Sequence, residues 1–265
     1  MKVIVNADDF GSTERHTRLI LDLLLRGKIS STTMLVNLPY SPIAAKIIQD
    51  QHPQLKDSLG LHFNLTEGKP LNPDLQGSPF VMADGNLKDF RGRVSRWQLL
   101  RHVGAIAKEL DLQIQRFHEL IGQYPTHIDS HGHTHCTWVV LLALYRSREA
   151  RKVPAIRLTR QYDHEPAHMS GVKNKIRRIA KNLLNFAFRR RFKSVDYFTD
   201  IRNLDGTWLR EQDMEAMKSR FNSVEIMCHP YYFDEAEYEF LGGSSNVLER
   251  VPGLEMVGYS EYKSR

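Results

Sequence analysis

The feature that most constrains the fold of this chain is the alternation of short β-forming runs with amphipathic helical segments. Such alternation is typical of an α/β fold built on a largely parallel sheet. A length of 265 residues suits one large domain of this class. We therefore predict a single domain over residues 1–265, with strands at 3–5, 33–36, 59–65, 126–130, 155–158, 195–198, 224–228 and 254–257. Helices are expected at 17–25, 97–121, 139–148 and 211–220.

Two segments depart from this pattern. Residues 67–95 are rich in Gly, Pro, Asn and Asp, and predict a long loop excursion of the kind that is usually functional. Residues 173–193 contain nine Lys or Arg and no acidic residue. The chain as a whole carries a formal charge of +6, whereas the remainder without this segment carries 28 basic and 31 acidic residues. The basic excess is therefore local.

The basic segment, at about 171–193, has apolar residues at helical spacing and predicts a helical insertion. We favour a solvated helix that packs one apolar side on the body of the protein. Three alternatives stay open: peripheral contact with an anionic membrane, contact with nucleic acid, or a border of a ligand cleft that attracts an anionic ligand. Because the excess is confined to one helix, a nucleic-acid partner is not expected.

The cysteine content and the apolar runs restrict the class of protein further. Cys136 and Cys228 are the only cysteines, which excludes a disulfide framework and a zinc site built from cysteines. The longest apolar run, 138–145, is much shorter than the about 20 residues that span a bilayer. The first residues do not resemble a signal peptide, so a cytoplasmic protein is expected.

Polar residues that can carry chemistry follow the first and third predicted strands. Asp8 and Asp9 come directly after the first strand, where α/β folds place their ligand sites. Adjacent carboxylates repel each other unless a cation neutralises them. A turn that caps the following helix is an equally good interpretation of the Asp pair. His62 lies on the face opposite to Leu61 and Phe63, and by itself would be a structural histidine.

The strongest motif is the run HIDSHGHTH at 127–135, which holds four of the twelve histidines. If the run is extended, its histidines share one face with Asp129; if a helical turn begins near Gly132, His131 and His135 align instead. A solvated histidine-rich loop is the less favoured alternative to a metal site. A further imidazole, His229, ends a predicted strand just before a proline.

Mixed carboxylate and imidazole ligands suit a divalent metal that activates water. A second carboxylate can then accept the proton of that water, and an imidazolium can protonate the leaving group. The sequence contains no glycine-rich phosphate loop, nucleophile elbow or dinucleotide fingerprint that would compete with this interpretation. The residues therefore favour a metal-dependent hydrolase.

Five segments, in order and over most of the chain, resemble the YdjC-like carbohydrate deacetylases: NADDFG at 6–11, SSTTMLVN at 30–37, GLHFNLTEGKPL at 60–71, PTHIDSHGHTH at 125–135 and MCHP at 227–230. The resemblance implies a distorted (βα) barrel and the hydrolysis of an N-acetyl group on an amino sugar or oligosaccharide. If the basic helix borders the cleft, that sugar would be phosphorylated or lipid-linked. The resemblance also implies a divalent cation, Mg²⁺, although two imidazoles would also suit Zn²⁺.

The resemblance assigns roles by position. Asp9, His62 and His131 match the metal ligands, Asp8 matches the proton acceptor, and His229 matches a catalytic imidazole. We expect the substrate to be bound by Asn64, His133 and His135, of which the two histidines are also second candidates for the general acid. The segment 12–16, STERH, departs from the family pattern and bears on the choice of substrate.

Other functions and the assembly state remain to be considered. The same ligands would support a metal-dependent hydrolase of another amide or of a phosphoester. A non-catalytic module that associates with membranes or nucleic acid is the alternative from a different class. A homodimer is the expected default for a soluble enzyme.

Overall fold

The structure is a computed structural model that describes residues 1–91, 94–159, 172–202, 207–232, 234–244 and 246–262. The predicted loop at 67–95 and the basic segment from about 171 each include residues outside these ranges. The strands are β1 (Lys2–Phe10), β2 (Ser31–Met34), β3 (Leu59–Phe63), β4 (His127–Ser130), β5 (Ala155–Ile156), β6 (Tyr197–Asp200), β7 (Ser223–Cys228) and β8 (Glu255–Met256). The helices are α1 (Glu14–Leu25), α2 (Ser41–Gln51), α3 (Arg96–Arg101), α4 (Val103–Ile121), α5 (Trp138–Arg146), α6 (Val172–Arg191), α7 (Glu211–Lys218), α8 (Ala236–Gly242) and α9 (Val247–Arg250).

The strands form one parallel sheet in the order β5-β4-β3-β2-β1-β7-β6, and the short β8 pairs with the beginning of β1. The two ends of this order approach each other: Ala155 of β5 forms a parallel bridge with Lys193, which precedes β6. The amide of Ile156 donates to the carbonyl of Lys193 at 3.0 Å, and the amide of Lys193 donates to that of Pro154 at 2.9 Å. The sheet is therefore curled into a distorted, incompletely closed (βα) barrel, as predicted.

The main apolar core lies between the outer face of the sheet and the helices. In α4, for example, buried residues recur every three or four positions and form one stripe: Ile106, Leu110, Ile114, Phe117 and Ile121. The inside of the barrel is different. A small apolar cluster fills its N-terminal end, formed by Ile4, Ala155, Val195, Val257 and Tyr259. Above it the interior is lined by buried polar and charged side chains, which is where the candidate site lies.

The predicted elements are recovered, and their differences in length have physical reasons. β1 extends to Phe10 rather than ending at residue 5. The polar residues Asn6 and Asp8 suggest a strand end in the sequence, but they are buried inside the protein as part of the strand. The predicted helix at 97–121 is divided at His102. There the amide of His102 donates to the carbonyl of Leu99, and its ring donates to that of Gln98, so the regular helical ladder is interrupted.

No helix in the described ranges combines the length and the apolar character that are needed to cross a membrane.

Candidate metal centre

An irregularity in β1 brings two consecutive carboxylates to the same place. The pairing register between β1 and β2 shifts between Ala7 and Phe10, and Asp9 has a positive φ of 69°. In a regular strand consecutive side chains point to opposite faces, so one of the two carboxylates would point away. Here the Nε2 atom of His62 lies 3.1 Å from Oδ1 of Asp9 and 4.0 Å from Oδ2 of Asp8. A left-handed conformation at an aspartate is costly, and such strain is typical of functional sites.

Three side chains from three different strand ends converge to form a candidate metal centre. Asp9 lies in the irregular part of β1, His62 lies on β3, and His131 directly follows β4. Their potential ligand atoms all lie within 4.8 Å of one another. The Nδ1 atom of His131 is 2.7 Å from Oδ1 of Asp9. One carboxylate and two imidazoles at the mouth of a barrel fit a divalent cation that keeps open positions for water or substrate.

The orientation of His62 is fixed from behind. Its Nδ1 atom lies 2.6 Å from Oδ1 of Asp129 and 3.1 Å from Oγ1 of Thr33. Thr33 in turn donates to Oδ2 of Asp129 at 2.9 Å. A carboxylate behind the ring leaves Nε2 to face the centre, as is usual for a metal-binding histidine. Burial by itself would lower the pKa of His62, but the carboxylates of Asp129, Asp8 and Asp9 raise it well above its usual value.

The second carboxylate, Asp8, is paired with a fully buried arginine. Arg157 donates to both oxygens of Asp8, at 2.7 and 2.8 Å. The same guanidinium contacts Asp129 at 2.7 Å and Glu225 at 2.6 Å, and the Tyr259 hydroxyl donates to Glu225. Burial works to raise the pKa of Asp8, but Arg157 and then His62 lower it overall, so this carboxylate stays ionised.

Asp9 also contacts the loop that follows β7. The Tyr231 hydroxyl donates to its Oδ2 atom, and the Tyr231 ring stacks on His16 with a centroid separation of 3.5 Å. His16 belongs to the segment 12–16 that departs from the family pattern, and its Nδ1 atom lies 2.6 Å from the hydroxyl of Ser12. Segment 12–16 therefore contacts Asp9 indirectly, through the side chain of Tyr231.

The histidine-rich run is neither fully extended nor a regular helix. β4 ends at Ser130, and a 3₁₀ turn follows over His131–Cys136, in which Gly132 and His133 have left-handed φ angles of 58° and 56°. The four histidines consequently do not share one face. His127 is buried inside the barrel, where its ring stacks on Tyr259 at 3.7 Å. Only His131 of the four is part of the Asp9 cluster.

The remaining predicted residues surround the centre at different depths. His229 is partly exposed, and its Nε2 atom lies 3.8 Å from Oδ2 of Asp8. His133 is partly buried and meets the Phe198 ring edge to face. His135 is buried, with its Nδ1 atom 2.6 Å from the hydroxyl of Ser130. Asn64 is buried, and its side-chain oxygen accepts from the amides of Thr66 and Glu67, which fixes the turn after β3. The substrate-binding and catalytic roles of these residues stay predictions.

Two residues that sequence reasoning did not single out are central to the geometry. Arg157 stands between apolar Ile156 and Leu158 at the end of a short strand, and a lone arginine in such a run is the signal that could have identified it. Tyr231 follows the His229-Pro230 motif, where the turn directs it to Asp9. Asp129, which the sequence pattern places on the same strand as the histidines, supports His62.

Comparison with known proteins places this geometry in a family. The model of the YdjC-like protein family matches residues 2–255. The chitooligosaccharide deacetylase of Klebsiella pneumoniae subsp. pneumoniae is 30% identical over 262 residues, which cover 99% of this chain and 92% of that protein. A carbohydrate deacetylase of Halalkalibacterium halodurans is 30% identical over 263 residues, covering 97% and 95% of the two chains.

A solved structure shows the same fold. It is a crystal structure of an Enterococcus faecalis V583 protein provisionally described as a cellobiose-phosphate cleavage protein. The two structures superpose with a TM-score of 0.68 and 22% sequence identity, and the alignment covers 98% of each chain. At this identity the similarity establishes the architecture alone.

Proposed function

The chain belongs to the YdjC-like protein family, and from that membership we propose that it is a metal-dependent hydrolase that removes the N-acetyl group from an acetylated amino sugar or oligosaccharide. The observation that carries this proposal is the convergence of Asp9, His62 and His131, with the ionised Asp8 beside them. The names of the relatives in Klebsiella and Halalkalibacterium support a carbohydrate as substrate and deacetylation as reaction.

Asp9, His62 and His131 would hold the cation, for which Mg²⁺ and Zn²⁺ are the candidates. A bound cation of this kind lowers the pKa of a water molecule and polarises the acetamide carbonyl. The chain supports the ligands on both sides. Asp129 orients His62 from behind, and the Tyr231 hydroxyl occupies the second oxygen of Asp9. The other oxygen of Asp9, Oδ1, faces the rings of His62 and His131.

Asp8 is the proposed proton acceptor for the attacking water. It is 2% exposed and adjacent to the ligands, and Arg157 fixes both of its oxygens in one orientation. A carboxylate with a lowered pKa is always ionised at neutral pH, although it is a weak base. Such a weak base suits a water molecule whose pKa the cation would already have lowered. Asp8 would then hold the proton close to the leaving group.

His229 is the proposed donor of that proton to the departing amine. Its Nε2 atom is 3.8 Å from Asp8, and its ring stacks on Tyr232 at 4.9 Å. The backbone N–H of His229 donates to Glu237, which holds the loop in place. His135, by contrast, is buried against Ser130. We propose that His133, His135 and Asn64 shape the wall against which the sugar binds.

The first test is acetate release. Protein stripped of metal and reloaded with Mg²⁺ or Zn²⁺ should release acetate from N-acetylated glucosamine oligomers, and a chelator should abolish this activity. Phosphoesters and simple aryl amides, assayed with the same preparations, provide the control. Hydrolysis of phosphoesters without acetate release would refute the proposal.

Two substitutions separate the proposed roles of the adjacent carboxylates. Asp9→Ala removes a ligand and should abolish stoichiometric metal binding, measured by dialysis and elemental analysis. Asp8→Asn should retain the metal but lower kcat by about 10²–10⁴, the usual contribution of a general base. If Asp9→Ala keeps both metal and turnover, the assignment of the centre is wrong. If Asp8→Asn keeps full turnover, another group accepts the proton.

A further inference from the structure

One side of α6 presents a continuous apolar row to solvent. Four of its large apolar side chains are between 53% and 61% exposed: Ile176, Ile179, Leu183 and Phe186. They follow one another at intervals of three, four and three residues, so they lie along one side of the helix. The row is distinct from the side that packs on the barrel, where Leu184 and Phe188 are buried and Asn185 bonds to Thr159.

The neighbouring helix α5 extends this apolar surface. Trp138, Leu142 and Tyr145 are between 42% and 48% exposed and also recur at helical spacing. The two helices are in contact, since the Tyr145 hydroxyl donates to the carbonyl of Ala187 at 2.8 Å. We call the exposed apolar residues of α5 and α6 together the apolar face. It holds seven of the fourteen large apolar side chains that are exposed in the described part of the chain. Concentration of this kind marks an interaction surface.

The charges around the apolar face indicate which kind of partner it fits. Residues 173–193 contain nine cationic and no acidic side chains. On a helical projection Lys175 and Arg178 border the apolar row on one side, and Arg190 lies at its end. A second copy of this chain would bring the same cations against these ones, which disfavours a symmetric dimer through this face. An anionic lipid surface satisfies both components, because acyl chains accept the apolar residues and headgroups attract the cations.

We propose that the apolar face and its cationic border dock this protein peripherally on an anionic lipid bilayer. The contact is interfacial: the apolar residues enter the boundary between headgroups and acyl chains, while lysine and arginine remain at the headgroup level. This inference rests on the surface of α5 and α6 alone, and does not depend on the proposed function.

The position of α6 relates this contact to the barrel mouth. The helix leads from the side where β5 ends back to the beginning of β6, so its N-terminal half lies at the edge where Asp9 and His131 are found. Asn185 marks that edge through its bonds to Thr159, just after β5. From Lys175 to Asn185 the helix spans about 15 Å. Docking through this half would place the barrel mouth close to the lipid headgroups.

Vesicle co-sedimentation of the full chain tests the proposal. The protein should sediment with vesicles of phosphatidylcholine and phosphatidylglycerol at low salt, and bind vesicles of phosphatidylcholine alone at least about tenfold less tightly. The double variant Leu183→Ser, Phe186→Ser should lose at least about tenfold in affinity, because two apolar side chains no longer enter the interface. The variant Lys175→Gln, Arg178→Gln should lose affinity mainly for the anionic vesicles.

Matched controls use exposed residues elsewhere. Leu25→Ser with Ile43→Ser removes two similarly exposed apolar side chains from α1 and α2 and should leave binding unchanged. Asp9→Ala should also bind vesicles like the parent, which separates docking from catalysis. Circular dichroism and thermal unfolding establish that each variant is folded.

Four results would overturn the proposal. The first is absence of binding to anionic vesicles at low salt, and the second is equal binding by the parent and the Leu183/Phe186 variant. The third is a dimer in solution that this variant dissociates, since a second copy would then cover the face. The fourth is salt-sensitive binding to DNA that exceeds binding to vesicles.

Discussion

At the scale of single residues, the most consequential side chain is Arg157. It is fully buried and meets three carboxylates, those of Asp8, Asp129 and Glu225, within 2.8 Å. It thereby links the proposed proton acceptor to the residue that orients His62. Local motifs drew attention to Asp8, Asp9, His62 and His131 as candidates, and the family resemblance supplied their proposed roles. Neither predicted Arg157 as their partner, because the residues of this cluster are far apart in sequence and meet only through the curvature of the sheet.

Removal of the guanidinium should destabilise the protein strongly. Arg157→Met keeps much of the side-chain volume but leaves three buried carboxylates without their cation, at a cost of about 3–5 kcal/mol in the free energy of unfolding. Urea unfolding measures this cost. Arg116→Met, at an exposed pair with Glu119, should cost less than about 1 kcal/mol. Equal effects of the two substitutions would show that the contacts of Arg157 with the three carboxylates do not stabilise the fold as proposed.

At the scale of elements, the irregularity in β1 and the turn after β4 determine where the site forms. The alternation of strands and helices was predictable because apolar periodicity is local. The irregularity was not, since Asp8 and Asp9 read equally well as a helix-capping turn. The actual cap of α1 is Thr13, whose side chain accepts from the amide of His16. Asp8 and Asp9 therefore do not cap α1, and both lie at the barrel mouth.

Gly60 on β3 makes room for a neighbouring strand's histidine. A Cβ atom at this position would lie 2.3 Å from Cε1 of His127, which is far below contact distance. Gly60→Ala should therefore reduce the free energy of unfolding by about 1–3 kcal/mol through overpacking. In a double-mutant cycle, His127→Ala should relieve most of that loss, with chemical denaturation as the measurement. Strict additivity of the two substitutions would contradict this close packing.

Glu237 on α8 makes the stability depend on pH. Burial raises its pKa to about 7, while the backbone amide and ring of His229 and the Arg202 guanidinium oppose the shift and Asp200 supports it. Because this folded pKa lies above the unfolded value, Glu237 binds more protons in the folded state, and the stability it contributes falls as the pH rises toward 7. The free energy of unfolding of the parent should therefore fall relative to that of Glu237→Gln when the pH is raised from 5 to 8. The expected change in this difference is on the order of 2 kcal/mol. If the parent and the variant differ by the same free energy of unfolding at both pH values, this assignment is wrong.

At the scale of the whole molecule, the fold combines an apolar layer outside the sheet with a charged interior. The sequence predicted the parallel sheet, and the family resemblance implied the barrel. The near-closure of that barrel through Ala155 and Lys193 is a long-range pairing that no local pattern encodes. The same holds for the juxtaposition of α5 and α6, whose exposed apolar residues form one surface only after folding.

Binding of a cation at the mouth should stabilise the entire barrel, because the proposed ligands come from the ends of three strands. A metal that binds only the folded state raises the free energy of unfolding by about 2.7 kcal/mol at a hundredfold excess over its Kd. Chelator-treated protein should therefore unfold at a higher temperature when Mg²⁺ or Zn²⁺ is added. The Asp9→Ala variant should show no increase. A similar increase in this variant would indicate that the metal binds elsewhere.

The buried charges inside the barrel have a consequence for mutational screens. The residues proposed for chemistry and those that hold the strands together belong to one hydrogen-bonded assembly, from Tyr231 through Asp9 and His62 to Asp129 and Arg157. Substitution at any of these positions should therefore lower the stability of the fold as well as the activity. Activity and stability thus depend on the same interior residues. Substitutions that change the choice of substrate should be tolerated better in the peripheral segment 12–16 than at the centre.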